Sequence, residues 1–429
     1  MSDPVSPSPR IEHRTTPPHL AQPRIEHVTP EELPDYLRAV MRGFYGAYHD
    51  ETPELDRRLF LPDRTFGHRV DGQWVSTCGA FGRRLSLPGG AAVDTAAVTV
   101  VSVNPSYRRR GLLREMMTHQ LQQTHERGEP LALLWASESV IYGRFGYGSA
   151  LPRVRQSGRT RDLDFLPDVV LGGGSVAEVD QDEFVATAAP IHLSLLPERP
   201  GALDRTDPWW QATLLDPERD RDGFSAYRFV LHVDEAGQAT GYALFRVKES
   251  GGPAGASSEL SVIEVDAADP VGYARLWRYL LDLDLVRTFT RGTAPVDDPL
   301  RHLLADPRAL VQHLTDGTHL RLVDVARSLE ARGYATEVDL TVEVLDPLLA
   351  HNDGRFNLQA GPEGASVRRV RRKPDLTLGV KELATVFMGG VSLAALAAAG
   401  RVVEHRTGAV TRGATAFAWS RAPFTRDDF

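Results

Sequence analysis

Cysteine is almost absent from this sequence of 429 residues, which contains a single one, Cys78. One cysteine can form no internal disulfide and supplies no cluster of thiolates to a metal ion. The fourteen histidines form neither a His-x-x-x-His nor a Glu-x-x-His group, which are spacings typical of metal sites. The sequence therefore predicts a protein of the reducing cytoplasm that binds no metal, with Cys78 as a small core residue.

Long apolar runs are also missing. The longest candidate, residues 391–399, has nine residues and includes Ser392, whereas a helix needs about 20 apolar residues to cross a bilayer. We therefore expect no membrane-spanning segment and no membrane partner.

An excess of positive charge is lacking as well. The 49 lysine and arginine residues are outnumbered by 57 aspartate and glutamate residues, which leaves a formal net charge of −8. This balance disfavours nucleic acid as a partner and favours a cationic substrate. One basic cluster, residues 368–373, is interrupted by Val370 and followed by Pro374. This pattern is more typical of a solvated edge strand than of a nucleic-acid site.

The length of the chain predicts about three domains. Residues 1–23 contain six prolines and no continuous apolar segment, so we predict a disordered arm there. Strand and helix patterns then alternate to the end of the chain and predict three mixed α/β domains, at 24–155, 156–312 and 313–429. The peptide Pro-Arg-Ile-Glu-His occurs at 9–13 and again at 23–27, and we assign no function to this repeat.

The first domain contains the pattern of a strand–helix–strand unit. Residues 93–103 are typical of a strand, which ends at Asn104-Pro105. Leu112, Met116 and Leu121 recur on one face of a 3.6-residue period, and Gly128 is suited to end that helix. Residues 131–136 are all apolar, as expected for a strand buried on both faces.

The turn between this strand and helix has the composition of an anion site. It reads Arg108-Arg109-Arg110-Gly111 and leads directly into the helix. Backbone N–H groups at a helix N-terminus lack intrahelical partners, and the helix dipole adds positive charge, so a pyrophosphate can bind there. A solvated basic turn that merely starts a helix is the alternative interpretation. The sequence has no Walker lysine pattern at this turn and no Gly-x-Ser-x-Gly nucleophile elbow.

Together with its neighbours, this turn resembles a known family. The Arg-x-x-Gly turn after an apolar strand is similar to the acetyl-CoA signature of GNAT-superfamily N-acetyltransferases, although Leu113 replaces the usual small residue. A narrower resemblance is to the actinobacterial Eis (enhanced intracellular survival) family, which acetylates aminoglycosides. The segments that carry it are 101–103, 108–114, 136–138, 141–148, 276–285, 295–300, 320–325 and the terminal Phe429.

The resemblance implies an α/β (α+β) fold with two tandem GNAT-type domains followed by a domain similar to sterol carrier proteins, assembled as a hexamer. It also implies one acetyl-CoA site per chain, because the Arg-x-x-Gly turn occurs in the first GNAT region and not in the second. The residues implied to surround the cofactor are Val101, Ser102, Val103, Arg108, Arg109, Arg110, Gly111, Leu112, Leu113, Arg114, Ser137 and Glu138.

Two catalytic groups follow from the same resemblance. Tyr142 is implied to be the general acid that protonates the departing CoA thiolate. The α-carboxylate of Phe429 is implied to be the general base, 287 residues further along the chain. Composition alone favours Tyr142 as a packed aromatic beside Phe145 and Tyr147. The acidic Asp427 and Asp428 suggest attraction of a polycationic substrate, with Asp428 as a tentative contact, or simply a solvated tail.

Two functions of different classes remain open from the sequence. The first is an acetyl-CoA-dependent N-acetyltransferase that modifies amines of aminoglycosides, similar polyamines or protein lysines, at several positions. The second is a non-enzymatic CoA- or lipid-binding protein whose third domain carries the function. Tyr142 and a chain that ends at Phe429 favour the enzyme.

Overall fold

A computed structural model describes residues 23–253 and 255–429. The expected arm, apart from Pro23, and the first copy of the repeated peptide lie outside the described residues. Among the helices in these two ranges, none combines the length and apolar character needed to cross a membrane.

The first part of the chain forms an antiparallel sheet interrupted by one strand–helix–strand crossover. Its strands are β1 Arg24–His27, β2 Thr65–Val70, β3 Gln73–Trp74, β4 Ser76–Ser86, β5 Ala92–Val103, β6 Leu131–Trp135 and β7 Gly148–Arg159. Its helices are α1 Leu33–Gly43, α2 Pro53–Leu59, α3 Leu112–Glu126 and α4 Ser139–Tyr142. The predicted unit of strand, helix and doubly buried strand is therefore present as β5, α3 and β6, and Cys78 is fully buried in its core.

The second part repeats this arrangement. Its strands are β8 Ser175–Val179, β9 Arg228–Val233, β10 Ala239–Lys248, the short pair β11 Gly251–Gly252 and β12 Gly255–Ala256, β13 Ser258–Ala267 and β14 Val286–Ala294. Its helices are α5 Gln181–Leu195, α6 Asp207–Thr213, α7 Pro270–Leu281 and α8 Leu300–Leu303. Helix α7 connects the parallel strands β13 and β14, as α3 connects β5 and β6.

The third part continues through β15 Val311–Leu322 into a smaller sheet. The remaining strands are β16 Val338–Leu345, β17 Gly354–Gly361, β18 Gly364–Arg369, β19 Leu376–Gly379 and β20 Val402–Glu404. The helices are α9 Val325–Ala331, α10 Val380–Phe387, α11 Leu393–Ala398 and α12 Ala409–Phe417. Strand β18, which contains the first residues of the basic cluster, is an edge strand of this sheet, as the sequence predicts.

The first two parts share one continuous sheet of 13 strands. Its order is β1-β2-β4-β5-β6-β15-β7-β14-β13-β10-β9-β8, and β3 pairs with β2. Strand β15 lies between β6 and β7 and pairs antiparallel with both. Residues 313–322, which the sequence analysis assigned to the third domain, are thus part of the large sheet. The division of the chain into domains stays a prediction.

The third part packs on one face of the large sheet. Its largest apolar core includes Leu133 of β6, Leu151 of β7 and Leu320 of β15 together with buried residues of the smaller sheet. Helix α10 contacts both β7 and β15. Because β6, β15 and β7 form the centre of the large sheet, this packing brings the end of the chain close to β6.

Candidate active site

Strands β5 and β6 diverge partway along their length. They pair only from Thr95 with Leu131 to Val98 with Leu134, whereas β5 continues to Val103. The divergence begins at Val100, whose φ of 48° lies in the left-handed region that β-branched residues avoid. Thr77 holds this irregularity by donating from Oγ1 to the Val100 carbonyl at 2.6 Å. In the described residues, the β6-facing edge of β5 beyond Val98 therefore borders a gap instead of a strand.

The arginine turn connects this gap to helix α3. Arg109 and Gly111 both have positive φ angles, 62° and 88°. A Cβ atom at Gly111 would meet nothing within 4 Å, so glycine suits this position because of its backbone angle and not because of crowding. Gly111 is the N-cap of α3 and brings no side chain to the first N–H groups of the helix. These groups are available to an anion.

A cavity of about 1290 Å³ opens at the gap and the turn. Its lining includes, from the residues that the sequence analysis proposed, Val101, Ser102, Val103, Arg108, Arg109, Gly111, Leu112, Leu113, Arg114, Ser137, Glu138, Tyr142 and Phe429. Arg110 does not line it, because its guanidinium lies over the Tyr107 ring and donates to the Ser106 carbonyl at 3.2 Å. The structure thus brings these residues together in one cavity and places Arg110 beside it.

Tyr142 ends the short helix α4 that follows β6, and its side chain lies at the inner wall of the cavity. The residue is only 9% exposed, and its ring meets that of Tyr147 edge-on with centroids 6.1 Å apart. Burial, with smaller contributions from Cys78 and Glu138, raises the pKa of Tyr142 to about 12. The phenol is therefore protonated at neutral pH and can donate a proton.

The C-terminal segment, residues 418–429, carries no regular secondary structure and runs from the third part to the cavity. Trp135, the last residue of β6, donates from Nε1 to the carbonyl of Asp427 at 2.9 Å. Phe429 lines the cavity and packs its partly buried side chain against the core of the third part. Phe429, the last residue of this sequence, therefore lines the same cavity as Tyr142.

The two acidic residues before Phe429 differ in their surroundings. Asp428 has a side chain that is 75% exposed, and its nearest cation is Arg153 at 3.8 Å. Asp427 is buried and paired with Arg83 at 2.7 Å and with Arg205 at 2.5 Å. For Asp427, both interpretations offered by the sequence are wrong, since it is neither a solvated tail residue nor free to meet a substrate.

The cavity also has walls that sequence reasoning did not identify. Met41, Phe44 and Tyr45 line it from the end of α1 and the residues after it, and Pro347 and Leu348 line it from the third part. None of these residues belongs to a local motif, so the sequence held no signal for them.

Among residues 23–253 and 255–429, no group of three potential His, Cys, Asp or Glu ligands is close enough to hold a metal ion.

Comparison with protein families agrees with this architecture. A family described as an acetyltransferase (GNAT) domain matches residues 24–150, and a second GNAT acetyltransferase family matches residues 201–322. A sterol carrier protein domain matches residues 325–426. The predicted fold, two GNAT-type domains followed by a sterol carrier protein-like domain, is confirmed.

Comparison with individual proteins also finds N-acetyltransferases. An uncharacterized N-acetyltransferase of Streptomyces avermitilis is 39% identical over 91% of this chain and 95% of its own. N-acetyltransferase Eis of Mycobacterium tuberculosis is 34% identical over 78% of this chain and 81% of its own. The crystal structure of Eis1 from Mycobacterium abscessus covers 95% of this chain with a TM-score of 0.82 and 31% identity.

Proposed function

The chain belongs to the Eis family of GNAT N-acetyltransferases, and we propose that it transfers acetyl groups from acetyl-CoA to amines of aminoglycosides or similar polyamines, at several positions. Protein lysines present the same amine chemistry. The observation that carries the proposal is the single cavity that contains the gap beside β5, the arginine turn, Tyr142 and the terminal Phe429.

Two parts of the cavity support acetyl-CoA as its ligand: one suits the pantetheine arm and the other suits the pyrophosphate. The backbone of Val101 and Val103 borders the gap and can pair with the amide-bearing pantetheine arm as an added strand would. The N–H groups at the start of α3 and the arginines of the turn suit the pyrophosphate. Leu112, Leu113 and Arg114 continue this wall, while Ser102, Ser137 and Glu138 border the gap. Acetyl-CoA supplies an activated thioester.

In the proposed reaction, the amine nitrogen forms a bond to the acetyl carbon and the carbon–sulfur bond breaks. The carboxylate of Phe429 accepts the proton that the amine loses. Tyr142 donates its phenolic proton to the departing thiolate. Because the pKa of this phenol is about 12, the transfer requires local stabilisation of the phenolate as it forms. Placing both groups in one cavity orders the two proton transfers around the bound amine.

The alternative, a protein that binds CoA or lipid without catalysis, explains less of this geometry. Binding CoA requires the gap and the turn. It does not require a buried tyrosine and a chain terminus from another domain beside them. We therefore favour the enzyme.

The substrate class is inferred from charge. The chain has a net charge of −8, Glu138 lines the cavity, and the exposed Asp428 lies next to the proposed base. These groups favour substrates with several amines over a single small monoamine. A polyamine retains unreacted ammonium groups that these carboxylates can hold, and each amine in turn can take the reactive position.

The assembly and location follow from family membership and composition. We propose a homohexamer located in the cytoplasm, without a membrane or nucleic-acid partner and without a metal. Multi-angle light scattering tests the assembly, and a monomer at assay concentrations would contradict it.

The position of the terminal carboxylate provides the sharpest test of the function. We expect CoA release with kanamycin or tobramycin from the untagged protein, and a loss of about 10²-fold in kcat when a C-terminal tag converts the carboxylate of Phe429 into an amide. The same tag placed before Met1 is the control and should leave kcat unchanged. Full turnover by folded, C-terminally tagged protein would exclude Phe429 as the base. No CoA release from the untagged protein with any polyamine would favour the binding protein.

A further inference from the structure

The second GNAT domain contains a gap like the one in the first. Strands β13 and β14 pair only from Ser258 with Val286 to Val262 with Arg291, although β13 continues to Ala267. Beyond this point, β13 also has a register irregularity against β10. In the first domain, the same divergence of two parallel strands opens the cavity that we assign to acetyl-CoA.

The gap in the second domain holds part of the chain itself. A cavity of about 360 Å³ remains there, and its lining includes Asp266 and Ala267 of β13, Arg291 of β14 and the C-terminal residues 424–427. Arg426 donates to both carboxylate oxygens of Asp266, at 2.6 and 3.1 Å. Phe424 donates its backbone N–H to the Pro200 carbonyl at 2.8 Å. The C-terminal segment is thus held beside β13 by an ion pair and against Pro200 by a backbone hydrogen bond.

Asp427 also pairs with two arginines. The side chain of Arg205, which is 1% exposed, pairs with Asp427 at 2.5 Å and with Glu264 of β13 at 2.5 Å. Arg83 of β4 pairs with the other carboxylate oxygen at 2.7 Å. Asp427 therefore links Arg83 of the first GNAT domain to Arg205 of the second. Trp135 holds its backbone by donating to the Asp427 carbonyl.

The positive charges of Arg205 and Arg83 stabilise the ionised carboxylate of Asp427. Burial alone would raise the pKa of Asp427, but the guanidiniums of Arg205 and Arg83 outweigh it and hold the pKa below its usual value. The carboxylate is consequently ionised at every pH at which the enzyme would be assayed. Phe429 follows Asp427 by two residues, about 7 Å of extended chain, so the place of Asp427 limits where the terminal carboxylate can lie.

We propose that the gap of the second GNAT domain is a clamp for the C-terminal segment, and that Asp427 is the positioning residue that holds the carboxylate of Phe429 in the cavity of the first domain. The inference rests on the proposed role of that carboxylate. It gives the second domain a function in the reaction without a cofactor of its own.

The test compares Asp427→Asn with a matched control, Asp216→Asn. Asp216 also lies in the second domain and also pairs with two arginines, Arg246 at 2.5 Å and Arg221 at 3.2 Å, but it does not touch the C-terminal segment. We expect Asp427→Asn to lower kcat by about 10²-fold, because a displacement of about 1 Å at a reacting group can have this effect. The KM for acetyl-CoA should stay unchanged, and Asp216→Asn should retain wild-type kcat.

A second readout does not depend on catalysis. Carboxypeptidase A removes aromatic C-terminal residues, and we expect it to release Phe429 at least about tenfold faster from Asp427→Asn than from wild type or Asp216→Asn. Wild-type release or wild-type kcat in folded Asp427→Asn would overturn the clamp. If Asp427→Asn does not fold, Asp266→Asn replaces it, since Asp266 is a quarter exposed and holds the same segment through Arg426. It should show the same two changes at smaller size, and wild-type values for both would again overturn the proposal.

The experiments can contradict the proposed clamp and the proposed base independently of each other. If the C-terminal tag abolishes turnover but Asp427→Asn turns over normally, the base is correct and the clamp is wrong. If tagged protein turns over at the untagged rate, the proposed role of Phe429 fails, whatever Asp427→Asn does to the release of Phe429.

Discussion

The two GNAT domains of this chain share a backbone plan and differ in the charge of one turn. In each, two parallel strands diverge and a helix connects them: α3 between β5 and β6, and α7 between β13 and β14. The first turn carries three arginines and ends at Gly111, which has a positive φ and no side chain to cap its helix. In the second, β13 ends with Asp266 and Ala267, and Asp269 caps α7 by accepting from the Gly272 N–H at 2.8 Å.

The comparison shows that the gap is a property of the fold, whereas the charge beside the gap is a property of the local sequence. The fold provides a gap at the end of two diverging strands in both domains. The charge near each turn suits a different occupant. Positive charge and free N–H groups suit a pyrophosphate, while carboxylates suit the arginine of the C-terminal segment. At the helix cap of the second domain, the Asp269 carboxylate accepts from the Gly272 N–H, and its negative charge disfavours a phosphate there. These charges suit the second gap to the arginine of the C-terminal segment better than to a nucleotide.

The largest effect should come from giving the first turn the charge of the second. Gly111→Asp places a carboxylate at the N-cap of α3, beside the proposed pyrophosphate. Like charges in close contact cost several kcal/mol, so we expect acetyl-CoA affinity to fall by about 10³-fold in isothermal titration calorimetry.

Gly111→Ala is the matched control, because it imposes the strain of a positive φ without a charge, at about 1–2 kcal/mol of folding stability. The cavity has room for its methyl group. We expect it to keep most of its CoA affinity. Unchanged affinity in folded Gly111→Asp would place the pyrophosphate elsewhere.

The next effect concerns Tyr142, the proposed general acid in the cavity of the first domain. Tyr142→Phe removes the proton donor and keeps the ring, so kcat should fall by about 10²-fold, at the lower end for general acid catalysis, with CoA affinity unchanged. Stopped-flow or thiol-release kinetics measure the first quantity and calorimetry the second.

Tyr147→Phe controls for the loss of a buried hydroxyl in the same aromatic cluster. Its hydroxyl donates to Gln120 Oε1 at 3.3 Å, and losing that bond should lower stability by about 1 kcal/mol while kcat stays close to wild type. Equal kcat values for Tyr142→Phe and wild type would show that Tyr142 is a packed aromatic residue and not the general acid.

How much of this site could be read from the sequence depends on how local each feature is. The arginine turn, the face of α3 and the buried strand β6 all lie within residues 108–135, and their periodicity and turn chemistry were sufficient to predict them. The resemblance then supplied Tyr142 and Phe429. The role of Asp427 could not be predicted, because its partners Arg205 and Arg83 lie 222 and 344 residues away.

Strand β15 shows the same limit on a larger scale. Its own residues predict a strand, but nothing in them indicates insertion between β6 and β7, which end and begin more than 150 residues earlier. Sheet partners are set by long-range packing, so strand patterns predict that a strand forms and not where it pairs. The domain boundary proposed at residue 313 depended on this missing information.

The smallest expected effect tests the other half of the comparison, that the second turn is structural. Asp269→Ala removes the cap of α7 and leaves the Gly272 N–H without its partner, which should lower the free energy of unfolding by about 1 kcal/mol. Asp180→Ala is its match, since Asp180 caps α5 in the same domain by accepting from the Glu183 N–H at 2.9 Å. Chemical denaturation should give similar losses for both, with kcat and CoA affinity unchanged. If Asp269→Ala alone raised the KM for acetyl-CoA, the second turn would communicate with the first cavity, and the two domains would differ in more than the charge of their turns.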